Sequence, residues 1–125
     1  LLWLTIAGFD FSSHCIGDAQ SEVRESLYIH RAEDEYPYAD LTFDLVISLG
    51  CLHNLRLPEL EAAIPEIQRV GRKSYMMLES YRNNAELFNL QCWALTAQSF
   101  LDVDEWCWLY QRLGYAGDYE FIFFE

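Results

Sequence analysis

Basic residues are scarce in this sequence: 8 Lys and Arg stand against 20 Asp and Glu, giving a formal net charge of −12. A surface that acidic repels phosphate backbones and anionic headgroups, so nucleic acid and membranes are set aside as partners. No apolar run approaches the roughly 20 residues that a membrane span needs. The opening segment Leu1-Leu2-Trp3-Leu4-Thr5-Ile6-Ala7 is apolar but short, and it lacks the basic start of a secretion signal. No C-x-x-C pair or Cys/His cluster occurs, so no metal is expected. Cys15, Cys51, Cys92 and Cys107 are scattered among apolar neighbours, a pattern that predicts buried, reduced thiols in a cytoplasmic protein. Repeats, low-complexity stretches and linkers are missing too. So is an initiator methionine, and the chain is expected to begin inside a longer reading frame.

What is present is a 125-residue chain, 52% hydrophobic and 16% aromatic, enough for one ordered domain over residues 1–125 with one core. Strand-like and helix-like segments alternate, which predicts an α/β layer architecture. Leu2 to Gly8 reads as a buried strand ending at Asp10. Ser12 or Ser13 is placed to cap a helix with Cys15, Ile16, Ala19 and Val23 on one face. Leu27–His30 is a second short strand. Phe43–Leu49, nearly continuous in apolar residues, is predicted as a central parallel strand. Pro58 suits a first helical turn, and Leu60, Ala63, Ile64 and Ile67 follow at helical spacing up to a C-cap at Gly71. Pro65 predicts a kink or a break in that helix. Ser74–Glu79 is the next strand, and 83–93 is ambiguous. Asp102 with Glu105 forms a capping-box pattern opening a helix that ends at Gly114, with Val103, Trp106, Cys107, Tyr110 and Leu113 inward. Tyr119–Phe124 closes the chain as a strand. The predicted whole is a Rossmann-like, doubly wound, mostly parallel sheet with helices on both faces and ligands at the carboxyl ends of its strands.

Candidate chemistry gathers at those ends. Asp10 closes its strand where a carboxylate can accept hydrogen bonds from both hydroxyls of a ribose, although Asp is also common there as a cap or turn residue. Arg31-Ala32-Glu33-Asp34 follows the second strand as an acidic turn able to border an adenine, or simply to be solvated. Then comes Tyr36-Pro37-Tyr38-Ala39-Asp40-Leu41-Thr42-Phe43-Asp44-Leu45-Val46-Ile47-Ser48, followed by Gly50-Cys51-Leu52-His53-Asn54-Leu55, and later Glu66-Ile67-Gln68-Arg69-Val70. This succession resembles the class I S-adenosylmethionine-dependent methyltransferases, especially those acting on small molecules, along nearly the whole chain.

The resemblance implies S-adenosyl-L-methionine as cofactor and a small molecule as methyl acceptor. It implies that Asp10 holds the ribose and Phe11 packs on the adenine face. Ala32 and Glu33 border the adenine amino edge, and Leu49, Gly50 and Cys51 line the methionine portion. His53 and Asn54 face the acceptor, with His53 a candidate base; a histidine there can equally cap the next helix. Tyr81 and Arg82, just after the Ser74–Glu79 strand, are added as candidate acceptor contacts, with Trp93, Gln98 and Phe100 as a further wall.

The sequence departs from the family in one respect. No G-x-G occurs anywhere, so the first strand, its glycine-rich loop and the following helix are expected to be missing, an N-terminal truncation. Without that central strand, its two neighbours either pair directly or leave a gap, and an unpaired edge invites self-association. A non-catalytic remnant that binds a partner chain is the alternative reading. A dinucleotide oxidoreductase fits Asp10 but not the run from Phe43 to Leu55. An N/D-P-P-Y motif is absent, which argues against methylation of exocyclic base amines.

Overall fold

The computed structural model describes residues 4–125; the expected strand residues Leu2 and Trp3 lie outside the described residues. The elements run β1 (Gly8–Asp10), α1 (Ser13–Gly17), α2 (Ser21–Arg24), β2 (Leu27–Ile29), β3 (Phe43–Leu49), α3 (Leu57–Val70), β4 (Gly71–Glu79), α4 (Asn84–Trp93), α5 (Val103–Arg112) and β5 (Asp118–Ile122), with a 3-10 turn at Leu52–Asn54 between β3 and α3. The architecture is mixed α/β and every strand pair is parallel.

The expected continuous sheet is divided in two. β1 pairs with β2, Gly8 opposite Leu27 and Asp10 opposite Ile29. Separately, β3, β4 and β5 form a three-stranded sheet with β4 in the middle. Among the described residues β1 and β3 do not pair with each other, and the two sheets stand apart.

The core lies on one face of the larger sheet. α3 turns Leu60, Ala63, Ile64, Ile67 and Val70 inward, and α5 contributes Trp106, Leu109 and Tyr110 to the same cluster, against Met76 and Leu78 of β4. Val46 lies in register with Ser74, and Ser48 with Met76, so these residues share the covered face. The other face of β3 carries Leu45, Ile47 and Leu49, each more than half exposed. Among the described residues, helices on both faces are therefore not what the larger sheet presents, and β3 is not the fully buried strand that its composition predicts. An unbroken apolar run is what two covered faces require, and here α3 and α5 occupy the same side.

Local chemistry accounts for several helix starts. Ser12 caps α1 by accepting from the Cys15 amide. The expected single helix here is two short ones, and Cys15 is exposed rather than buried. Cys92 is exposed as well, and all four cysteines are free thiols. Asp102 and Glu105 close the predicted capping box at 2.8 Å in both directions. Leu109 joins the buried face of α5, while Val103, Cys107 and Leu113 are only half-buried. Asn83 caps α4 by accepting from the Glu86 amide, which resolves the ambiguous 83–93 segment as a helix.

α3 runs unbroken through Pro65. Gly71 is extended and passes straight into β4 rather than forming a left-handed cap. Its lack of a side chain is required there, since a Cβ would meet Val46 Cγ2 at 2.7 Å and the Lys73 carbonyl at 2.9 Å. In the last turn of α3, Arg69 donates to the Tyr36 carbonyl at 3.0 Å and the Tyr38 carbonyl at 2.7 Å, tying the segment before β3 onto the helix.

Candidate functional site

Between the two sheets lies a cavity of about 640 Å³. Its walls are β1 with its flanks, from Thr5 to Phe11, and β3 with its extension, from Phe43 to Leu52. Both walls are strands, so the cavity runs along the gap, and its lining includes Asp10 and Leu49 at their carboxyl ends.

Asp10 stands at one such end. Its Oδ1 accepts the Ser12 amide at 2.8 Å, the same turn that starts α1. That bond fixes the carboxylate, and Asp10 lines the cavity. Phe11, next in the chain, is 68% exposed beside the cavity, so it is not a core aromatic. Ala32 and Glu33 line the same space from the turn after β2. The Glu33 carboxylate accepts from Arg31 Nε at 2.5 Å, which neutralises the turn locally.

Leu49, Gly50 and Cys51 form the opposite lip. Gly50 has φ +59°, a left-handed conformation that glycine adopts without strain and that turns the chain sharply into the 3-10 turn. Burial, then the carboxylates Asp10 and Glu33, push the Cys51 thiol up to about 11, so at neutral pH it is a protonated, weakly nucleophilic group. Asn54 also lines the cavity, and its Oδ1 accepts from Thr96 Oγ1 at 2.8 Å.

His53 is buried at 5% exposure, and its Nδ1 lies 2.6 Å from Glu79 Oε2 at the end of β4. Its carbonyl accepts from the amides of Gln98 at 2.9 Å and Ser99 at 3.0 Å, folding that segment over the turn. Thr96 and Gln98 thereby reach the cavity wall.

The structure thus gathers Asp10, Phe11, Ala32, Glu33, Leu49, Gly50, Cys51, Asn54 and Gln98 around one space, with His53 behind the lip. It does not bring Tyr81, Arg82, Trp93 or Phe100 there. The Arg82 guanidinium is bound by Glu86 and by Glu125 at 2.7 Å and lies over the Phe123 ring. Sequence reasoning missed Thr96 and the partnership of His53 with Glu79, because nothing local joins those segments. Among the described residues, no group of three or more His, Cys, Asp or Glu side chains could hold a metal ion. No helix among them is long and apolar enough to cross a membrane.

A family model described as a methyltransferase domain matches residues 1–77, more than half of the chain and all of the cavity's strand walls. The chain belongs to this methyltransferase domain family. A protein of Synechocystis sp. described as an uncharacterized methyltransferase is 26% identical over 86 residues, covering 67% of this chain and 41% of that relative. The chain therefore spans about two fifths of the length of the curated relative it matches. No solved structure matches it.

Proposed function

We propose that this methyltransferase domain serves S-adenosylmethionine-dependent methyl transfer to a small-molecule acceptor. The observation that carries the reading is Asp10: its carboxylate is fixed through Oδ1 by the Ser12 amide at a position that lines the cavity. A carboxylate so held is suited to the two hydroxyls of a ribose. Phe11, exposed beside it, offers an aromatic face to adenine, with Ala32 and Glu33 at the base's edge.

When bound, S-adenosylmethionine supplies a methyl group on a positively charged sulfur. Leu49, Gly50 and Cys51 would line its methionine portion. The protonated Cys51 thiol does not compete there as a nucleophile. Asn54, Thr96 and Gln98 offer polar groups to orient an acceptor, and alignment supplies much of the rate in a transfer of this kind. The fit is to the ribose and adenine end. No G-x-G loop is present in the sequence to receive the methionine carboxylate and amine, and the Arg31 cation beside the cavity is paired with Glu33. Weak binding by these 125 residues is therefore part of the proposal.

Ligand-observed NMR with S-adenosylhomocysteine, which reads weak binding, tests the assignment. Asp10→Ala should weaken binding by about 1–3 kcal/mol, the scale of lost charged hydrogen bonds. An unchanged dissociation constant in a folded variant removes Asp10 from the site.

One observation favours a second reading, a partner-binding module without catalysis. The bare face of β3 at Leu45, Ile47 and Leu49 is apolar and exposed, as a docking surface is. An upstream in-frame strand with a G-x-G loop would favour the enzyme.

A further inference from the structure

β1 and β3 each have a strand neighbour on one side only. β1 pairs with β2 and β3 with β4, and among the described residues neither has a partner on its other edge. Both strands line the same cavity. In a parallel ladder, alternate residues direct their N–H and C=O groups to opposite neighbours. The Gly8 amide donates to the Ser26 carbonyl at 3.0 Å and the Asp10 carbonyl accepts from the His30 amide at 3.1 Å, so Gly8 and Asp10 address β2 and Phe9 addresses the gap. The Gly50 amide donates to the Met77 carbonyl at 2.8 Å, so Val46 and Ser48 address β4 while Leu45, Ile47 and Leu49 address the gap.

Two rows of main-chain donors and acceptors on one space ask for one kind of occupant. An extended peptide meets both rows at strand spacing, as in recognition by strand addition. Among the described residues, every strand of a second copy already uses at least one of its edges, so a copy can cover one wall but not bridge both. Bridging takes a segment with both edges free. Its side chains must be apolar on both faces. One set meets Val46, Ile67 and Val70, which line the cavity from the core side, and the other extends the exposed row of Leu45, Ile47 and Leu49. Charge favours basic flanks: Asp10, Glu33 and Glu59 line the space, and Arg31, the one Lys or Arg in its described lining, is already paired with Glu33. The residues assigned above to a cofactor leave β3 from Phe43 to Ile47 without a role.

We propose that the gap between β1 and β3 is a docking site for an extended, apolar segment of a partner polypeptide with basic flanks, which inserts as a strand hydrogen-bonded to both walls. Insertion joins the two sheets into one and satisfies the free groups of Phe9 on one side and of Leu45, Ile47 and Leu49 on the other. Main-chain bonds and burial of the inserted side chains supply the affinity. The covered and open faces of the gap, which receive alternate side chains, supply the selectivity. The inference is independent of the methyl-transfer reading and stands or falls without it.

Residue-resolved amide hydrogen exchange of the 125-residue chain, diluted until sedimentation shows a monomer, tests this with the synthetic peptide acetyl-Lys-Val-Ile-Val-Val-Ala-Lys-amide as probe. In the free chain the amides of Phe9, Leu45, Ile47 and Leu49 should exchange much faster than those of Val46 and Ser48, which are bonded to β4. Excess peptide should slow all four by about ten-fold or more, on both walls together. Glutamates in place of the two lysines should weaken binding by about ten-fold, and a proline at the peptide's centre should abolish the protection. Ile47→Pro removes a gap-side donor that β4 does not use, a position where an edge strand tolerates proline. It should weaken peptide binding by about ten-fold while Ser48 stays protected, the sign that β3 remains paired. Gap-side amides already protected in the free chain overturn the proposal. So does protection confined to one wall, or an excess of peptide that leaves the wild-type amides unchanged.

Discussion

Glu66 takes two hydrogen bonds from Arg69, from Nε at 2.6 Å and Nη2 at 2.8 Å, while its Oε2 also accepts the Tyr36 amide at 2.7 Å. The pair joins the end of α3 to the segment leading into β3, and so sets where the cavity's β3 wall begins. The Arg69 guanidinium first, and then the Tyr36 amide, hold the Glu66 carboxyl below its ordinary 4.5, against the opposing effect of burial.

A carboxyl lowered on folding contributes stability that is present above its unfolded value and is lost as pH falls through the folded one. The thermal midpoint should therefore decline as pH drops below that ordinary 4.5. Glu66→Gln should lower the midpoint by several degrees at pH 7 and flatten the acid limb. Thermal melts from pH 7 to pH 3 check this, and an unchanged acid limb in the variant places the stabilising carboxylate elsewhere.

The cysteines should separate by reactivity. Cys15 and Cys92 are exposed, whereas the Cys51 thiol is pushed up to about 11 by burial and nearby carboxylates. At pH 8 only about one Cys51 in a thousand is thiolate, against roughly a quarter for a free thiol near 8.5. Timed alkylation with iodoacetamide and peptide mass spectrometry should show Cys51 lagging Cys15 and Cys92 by at least about a hundred-fold. Equal rates would mean that the lip at Gly50 and Cys51 is open to solvent.

Self-association should follow from the bare face of β3. Leu45, Ile47 and Leu49 present an apolar row beside a strand edge that, among the described residues, pairs only on the β4 side. Sedimentation velocity of the 125-residue chain should show mass rising with concentration, and Ile47→Lys should weaken the association by about ten-fold or more. A wild-type chain that stays monomeric at high concentration overturns this expectation.

Local interactions were legible without coordinates. The capping box of Asp102 and Glu105 joins residues three apart, so its geometry follows from the helix itself. Phe43–Leu49 emerged as a strand with its predicted ends, because a β-branched and apolar run favours one conformation wherever it lies. Of the two outcomes predicted at Pro65, the break does not occur: α3 runs as one helix through it, so proline alone did not divide the segment. The Cys15 thiol misled the reading, since apolar neighbours in sequence did not become apolar neighbours in space.

By itself, the sequence determined the parallel α/β pattern, the methyltransferase succession from Asp10 to Val70, and the absence of a G-x-G loop. All three depend on residue types and spacings within short windows. Tertiary structure alone decided that β1 and β3 stand apart around a cavity, that α3 and α5 share one face of the larger sheet, and that His53 faces Glu79. These are pairings between distant segments. Their outcome depends on which strand edges find partners and which apolar faces find cover, and no local pattern encodes that competition.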